Sequence, residues 1–302
     1  MITWTVGSGG LLGGAVERAA GRAFTGSPVP WPDRARAGAV LAADAARFAD
    51  EAGQDPWRIV WAAGAATVAA TQEQADSEVG ALRALLESVR AAAPPGPGCV
   101  FITSSAGGVY AGSAAPPFDA TTVPAPISAY GRLKLAQEAL AVDLLHGACP
   151  VVIGRVANLY GPGQNLAKLQ GLVSRLVLAA LTQRPINIFV PLETTRDYVY
   201  VDDAAADVIA LCDAAAEQRA EARVAVIASG AGVSVGQLVR SVQLVTKRRV
   251  PIALGTHPSS RGQVVDLRLV PTTVRAGMAL PAGIKRVQLD LLARLQRMPV
   301  TA

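Results

Sequence analysis

Tyr130 and Lys134 stand four residues apart in the stretch AYGRLK. On a helix that spacing puts the phenol and the ammonium on one face. A neighbouring positive charge favours the phenolate, so such a tyrosine can give or take a proton near neutral pH. Just upstream, TSS at 103–105 ends an apolar run and could present a hydroxyl, from Ser104 or Ser105, to the same reacting oxygen. At the start of the chain Gly7, Gly10 and Gly13 recur every third residue, with Leu11 and Leu12 between the last two. The first would permit a tight turn, the second a close approach of backbone to a pyrophosphate, and the third close packing of helix on strand. The helix that follows would offer free N–H groups and the positive end of its dipole to phosphates. Neither pattern is diagnostic alone: a surface pair or a ligand-free turn has the same residues.

These residues need elements to hold them. ITWTV (2–6) reads as a strand, and LLGGAVERAAG after the glycines has helical spacing. WRIVWAAGAAT (57–67) is an apolar strand ending in small residues, and SEVGALRALLESVRAAA (77–93) is a helix broken by PPGPG. CVFITSS (99–105) is a buried strand, 129–146 a long amphipathic helix, PVVIGRV (150–156) a strand, and VAVIASG (224–230) the last strand of the sheet. Between them a helix is expected near 166–182, followed by INIFV. Apolar strands alternating with helices give a parallel sheet covered on both faces. The expected fold is α/β: a Rossmann-type doubly wound parallel sheet with a smaller C-terminal α/β substrate lobe. The dinucleotide domain is expected over 1–162, with 190–229 returning to it. The lobe is expected over 163–189 and 230–302.

Composition excludes several classes. The 302 residues are 51% hydrophobic and 17% charged, enough to bury a sizeable core and unlike a disordered chain. The net charge of +5 is spread out, with no basic block of the kind that binds nucleic acid. No run of about 20 apolar residues suggests a membrane span, and the first apolar run leads into the glycine turn rather than a signal-peptide cleavage site. Cys99, Cys149 and Cys212 are scattered, and two histidines are too few for a typical zinc site. A cytoplasmic protein with reduced thiols and no metal is expected.

Taken together, VGSGGLLG at the start, TSSAGGVYAG (103–112), AYGRLK (129–134), RVANLYGPGQN (155–165), RDYVYVDDAA (196–205) and ASGAGVSVGQL (228–238) resemble the extended short-chain dehydrogenase/reductase family, in its NAD-dependent epimerase/dehydratase branch. The resemblance covers nearly the whole chain. It implies that Tyr130 is the acid/base and that Lys134 binds the nicotinamide ribose and tunes the tyrosine. The family's active-site serine position holds Ala106 here, so the role moves to Ser105, with Ser104 the alternative. Gly7, Gly10, Leu11, Leu12 and Gly13, with Ala62, Ala63 and Gly64 in the small-residue loop after the fourth strand, match cofactor contacts. Asn158, Asn165, Arg196 and Arg261 match substrate contacts, the two arginines gripping a diphosphate. The long helix of Tyr130 often pairs in a dimer in this family, and Leu133, Leu140 and Leu144 would suit that, or burial within the subunit.

Two departures refine the expectation. NAD-binding members end the second strand with a carboxylate on the ribose 2′-OH. Here 21–36 offers Thr25, Ser27, Arg34 and Arg36, with Asp33 a late substitute, so NADP(H) is favoured and NAD(H) stays open. Dehydratases carry an acidic pair where this chain has Ala106, Gly107 and Gly108, which disfavours elimination of water. What remains is hydride transfer at a carbonyl, with Tyr130 protonating the developing alkoxide, Ser105 bonding the same oxygen and Lys134 supporting both. The leading expectation is an NADP(H)-dependent reductase of a nucleotide-linked keto sugar, such as a dTDP-4-keto-6-deoxyhexose. A nucleotide-sugar 4-epimerase with retained NAD, a ketoreductase of a polyketide or other small ketone, and a non-catalytic dinucleotide sensor are the alternatives. The intact Tyr130–Lys134 pair argues against the sensor.

Overall fold

The computed structural model describes residues 1–64, 72–167, 170–219, 221–256 and 264–297, with side chains of 72–77 left aside. Its first half alternates β1 (Ile2–Val6), α1 (Leu11–Ala19), β2 (Arg22–Phe24), α2 (Arg34–Ala52), β3 (Trp57–Trp61), α3 (Gln72–Ala92), β4 (Gly98–Ser105), α4 (Ala106–Val109), α5 (Ala129–Leu145) and β5 (Val151–Val156). With β9 (Arg223–Ile227) the strands make one parallel sheet in the order β2-β1-β3-β4-β5-β9. The strands read as continuous apolar runs because both faces are covered. Within β4, Val100 and Ile102 face α2, α3 and α5, whereas Cys99 and Phe101 face α1 and α7 (Val201–Gln218). The order in which strands are added reverses between β1 and β3, since β2 lies on one side of β1 and β3 on the other, and ligands of open α/β sheets sit outside the strand ends at such a switch point.

One expectation needs correction. The loop of Ala62, Ala63 and Gly64 follows the third strand, since only α2 lies between β2 and β3. Pro28, Pro30 and Pro32 lie in that connection, and proline removes the N–H that a ladder needs. α2 is instead pinned to the sheet edge by aromatic contacts of Phe48 with Trp4 at 5.6 Å and with Phe24 at 5.3 Å. The helix expected near 166–182 begins at Leu172, and 168–169 lie outside the described residues.

The C-terminal elements add two small sheets. β6 (Asn158–Tyr160) runs parallel to β8 (Thr195–Tyr200), and β10 (Gly232–Ser234) pairs antiparallel with β8. β7 (Ile186–Ile188) pairs with β11 (Ile252–Leu254). Helices α6 (Leu172–Thr182), α8 (Val235–Thr246) and α9 (Leu280–Arg297) pack on one another beside them. Leu133 and Leu140 of α5 are buried inside the chain and Leu144 packs partly against the same core, so these leucines present no free apolar stripe. Cys99 and Cys212 are buried, and burial pushes the Cys149 thiol up to about 12. No described helix is long and apolar enough to cross a membrane.

Candidate active site

The glycine turn leaves β1 at the switch point. Gly7 has φ +96°, and a Cβ there would lie 2.5 Å from the Ala63 nitrogen. Ala62 donates its N–H to the Val6 carbonyl at 2.9 Å, which fixes the small-residue loop beside the turn. A Cβ on Gly13 would collide with the Gly7 carbonyl, so α1 closes on β1 only because position 13 is glycine. Gly10 caps α1 with extended backbone and no side-chain cap, and the first turn carries no acid. Gly9 and Gly10 are exposed, Leu11 is half-buried and Leu12 is buried. The result is a bare helix N-terminus floored by backbone, the geometry that accepts a pyrophosphate. The turn therefore fits a dinucleotide.

Tyr130 enters on the first turn of α5, which Ser128 caps by accepting from the Gly131 N–H at 3.1 Å. A Cβ on Gly108 would lie 3.1 Å from the Tyr130 ring. The same short helix α4 is capped by Ser105, whose Oγ accepts from the Gly108 N–H at 3.2 Å. Ser105 and Tyr130 thus flank one turn of backbone. The Lys134 ammonium lies 5.8 Å from the centre of the Tyr130 ring. It is buried, and donates to Glu78 Oε1 at 3.2 Å and to Gln137 Oε1 at 2.9 Å. Gln137 in turn donates from Nε2 to Glu78 Oε1 at 3.0 Å. Glu78 and Gln137 are the residues that sequence reading missed. One acid among several in α3 carries no pattern that links it to a lysine 56 positions away.

Ser104 points elsewhere. Its hydroxyl donates to Glu138 Oε1 at 2.5 Å, inside a buried network. Arg155 donates to both Glu138 oxygens, at 3.2 and 2.7 Å, and from Nη1 to the Tyr110 hydroxyl at 2.9 Å. Tyr110 donates onward to the Asp119 carbonyl at 2.6 Å. Burial raises the Tyr110 phenol above its ordinary value, opposed by its bond to Arg155. Tyr130, Lys134 and Glu138 recur at four-residue steps, so one face of α5 carries the tyrosine–lysine pair and, through the Glu138–Arg155 ion pair, an anchor to β5.

On the C-terminal side, Asn158 opens β6 and pairs in register with Tyr198 of β8. The Asn158 Nδ2 and the Tyr198 hydroxyl are buried and have no hydrogen-bond partner among the described residues. Burial pushes the Tyr198 phenol up to about 12, although the nearby Arg196 opposes it. Arg196, two residues earlier, is 9% exposed and donates to the Thr195 carbonyl at 2.9 Å. Burial pulls its guanidinium below the ordinary arginine range. A desolvated cation near buried donors suits an anionic ligand.

Other candidates fall outside this grouping. Asn165 is exposed and accepts from the Ala167 N–H at 2.9 Å, an Asx turn that shapes its own loop. Arg261 lies outside the described residues. Beyond β2, Asp33 caps α2 by accepting from the Arg36 N–H at 3.1 Å, while Arg34 and Arg36 are exposed. Ser27 donates its N–H and Oγ to the buried Asp44 at 2.6 and 2.9 Å, and Arg47 pairs with the same carboxylate at 3.0 Å. A cleft of about 250 Å³ lined by Tyr198, Ser229, Arg275 and Met278 excludes Ser105, Tyr130 and Lys134.

Comparison with known proteins agrees with this architecture. Over 91 residues the chain is 38% identical to the dTDP-L-rhamnose 4-epimerase of Burkholderia thailandensis, a match covering 30% of the chain and 25% of that protein. Over 173 residues it is 24% identical to the dTDP-4-dehydro-6-deoxyglucose reductase of Escherichia coli, covering 55% of the chain and 52% of that protein. The chain thus matches only a quarter to about half the length of these curated relatives. Among solved structures, the UDP-glucose 4-epimerase of Thermotoga maritima with UDP-glucose superposes with a TM-score of 0.79 at 21% identity, covering 98% of this chain and all of the other. MoeE5 in complex with UDP-glucose and NAD gives a TM-score of 0.76 at 24% identity, covering 97% and 99%. At these identities the likeness is one of fold. The model of the NAD-dependent epimerase/dehydratase family matches residues 37–227, well over half of the sequence, and the chain belongs to that family.

Proposed function

We propose that this chain is an NAD(P)-dependent oxidoreductase that reduces a keto group on a nucleotide diphosphate sugar, with NADPH as donor. The observation that carries the reading is Tyr130 beside the Lys134 ammonium and against the α4 turn capped by Ser105. A bound nicotinamide supplies the hydride. The chain's own part is to hold and move the proton. The Tyr130 hydroxyl gives its proton to the oxygen that gains charge, the Ser105 hydroxyl bonds the same oxygen, and Lys134 stabilises the tyrosinate left behind. Gly7, Gly10 and Gly13 would hold the cofactor pyrophosphate at the head of α1, with the loop of Ala62, Ala63 and Gly64 beside that turn. Asn158 and Arg196 hold the sugar nucleotide's diphosphate, which would satisfy a buried amide and offset the burial of a cation.

The cofactor preference rests on the end of β2. Asp33 and Asp44 are both engaged in local bonds, and Arg34 and Arg36 stand exposed at the head of α2. This arrangement favours a 2′-phosphate over a free ribose hydroxyl. The E. coli reductase supports a dTDP-4-keto-6-deoxyhexose as substrate. A second reading, a 4-epimerase that retains its NAD, draws on the Burkholderia relative. The deciding experiment is calorimetry of NADPH and NADH with and without dTDP-glucose, followed by NADPH consumption with dTDP-4-keto-6-deoxyglucose. NADPH binding strengthened by the sugar nucleotide, with consumption of NADPH, is the expected outcome. Purification with tightly held NAD would turn the assignment to the epimerase. Indifference to every sugar nucleotide would end the diphosphate reading.

A further inference from the structure

The ammonium beside Tyr130 has a built-in counter-ion. Lys134 and Glu78 form an ion pair at 3.2 Å in which both side chains are 7% exposed. Gln137, fully buried, bonds to both partners and so fixes the triangle. An ammonium has three N–H donors, and two are taken by these acceptors. A lone buried cation 5.8 Å from the centre of the Tyr130 ring would favour the phenolate. An anion bonded to the same nitrogen turns that charge into a dipole, whose effect on the phenol is weaker.

The other charges around this face leave that balance in place. On α5 and β5, Glu138 and Arg155 pair with each other at 2.7 Å, while Arg132 and Asp143 are exposed. The described segments of α4 (Ala106–Val109) and β4 (Gly98–Ser105) carry no charged side chain. Among the α3 residues with described side chains, Glu78 bonds to Lys134, Arg83 pairs with Glu87 at 3.7 Å on an exposed face, and Arg90 bonds to the Leu144 carbonyl at the far end of α5.

We infer that Glu78 is a positioning residue for this site: it holds the Lys134 ammonium in place and offsets the charge that Tyr130 meets. This rests on the oxidoreductase reading above and deepens it, because that charge bears on the proton that Tyr130 gives.

The test is an ultraviolet titration of tyrosinate in the full chain, without cofactor or substrate, taking the difference from Tyr130→Phe to isolate one phenol. The other four tyrosines are all raised by burial and stay out of the way. In Glu78→Gln the Tyr130 ionisation should fall by about one pH unit. Breaking a buried pair can unfold a protein, whereas removing both charges is often tolerated. The double variant Glu78→Gln/Lys134→Met therefore gives a second reading and should ionise Tyr130 at the wild-type pH. An unchanged or raised midpoint in Glu78→Gln, or a double variant well above wild type, overturns the inference. The titration needs no turnover. Its failure is thus distinct from failure of the keto-sugar assignment, which only the NADPH assay can report.

Discussion

Ser104 and Ser105 are adjacent in sequence, yet their hydroxyls serve opposite sides of β4. Strand alternation sends Ser104 into the Glu138–Arg155 network and leaves Ser105 at the turn against Tyr130. The two alanine variants should therefore separate. Ser105→Ala should lower kcat about 10²–10³-fold through loss of one donor to the developing charge, with melting temperature little changed. Ser104→Ala should cost about 1–3 kcal/mol of stability by leaving a buried carboxylate short of a donor, with kcat retained in the folded fraction. Chemical denaturation and steady-state kinetics on both variants check this, and the reverse pattern would hand the active-site role to Ser104. Tyr130→Phe should lower kcat by about 10²–10⁴-fold while NADPH still binds, because it removes only the proton donor. Residue types alone could suggest Tyr130 and Lys134, since their partnership is local in sequence. They could not suggest Glu78, because the pairing depends on how α3 packs against α5.

At the scale of elements, the site depends on backbones that approach without side chains between them. Gly13 lets α1 rest on the Gly7 carbonyl, and Gly131 lets α5 rest on the Gly108 carbonyl. Gly13→Ala should lift the head of α1 and weaken NADPH binding at least tenfold by calorimetry, with little effect on binding of a sugar nucleotide alone. Equal loss of both would show that the turn serves the fold rather than the cofactor. The strands were legible because a sheet covered on both faces needs unbroken apolar runs. α2 was not, because its buried stripe of Ala37, Leu41, Ala45, Phe48 and Ala52 is mostly alanine and stands out little from the alanines on its exposed face. The missing strand between β2 and β3 was hidden for a related reason. Its absence depends on prolines acting as breakers over a stretch whose composition otherwise reads as loop.

At the scale of the molecule, the groups proposed to hold cofactor and substrate sit on separate parts of the chain. The glycine turn and the loop after β3 belong to the large sheet, while Asn158 and Arg196 belong to β6 and β8. Each part should therefore respond to its own ligand. A ligand that binds only the folded state stabilises it by about 2.7 kcal/mol at a hundred times its Kd. Arg196 makes this measurable for the substrate side, because its guanidinium is buried two residues before Tyr198, which faces Asn158 across β6 and β8. dTDP alone should raise the melting temperature, and NADPH should raise it further in the same sample. Arg196→Met should remove the dTDP increment and leave that of NADPH, because the substitution keeps apolar volume while deleting the charge that a diphosphate answers. If dTDP gives no increment in the wild-type protein, the buried cation has another purpose and the substrate is not a nucleotide diphosphate. If Arg196→Met loses both increments, the two parts do not respond separately, and β8 carries the fold of the cofactor site as well as the substrate contact.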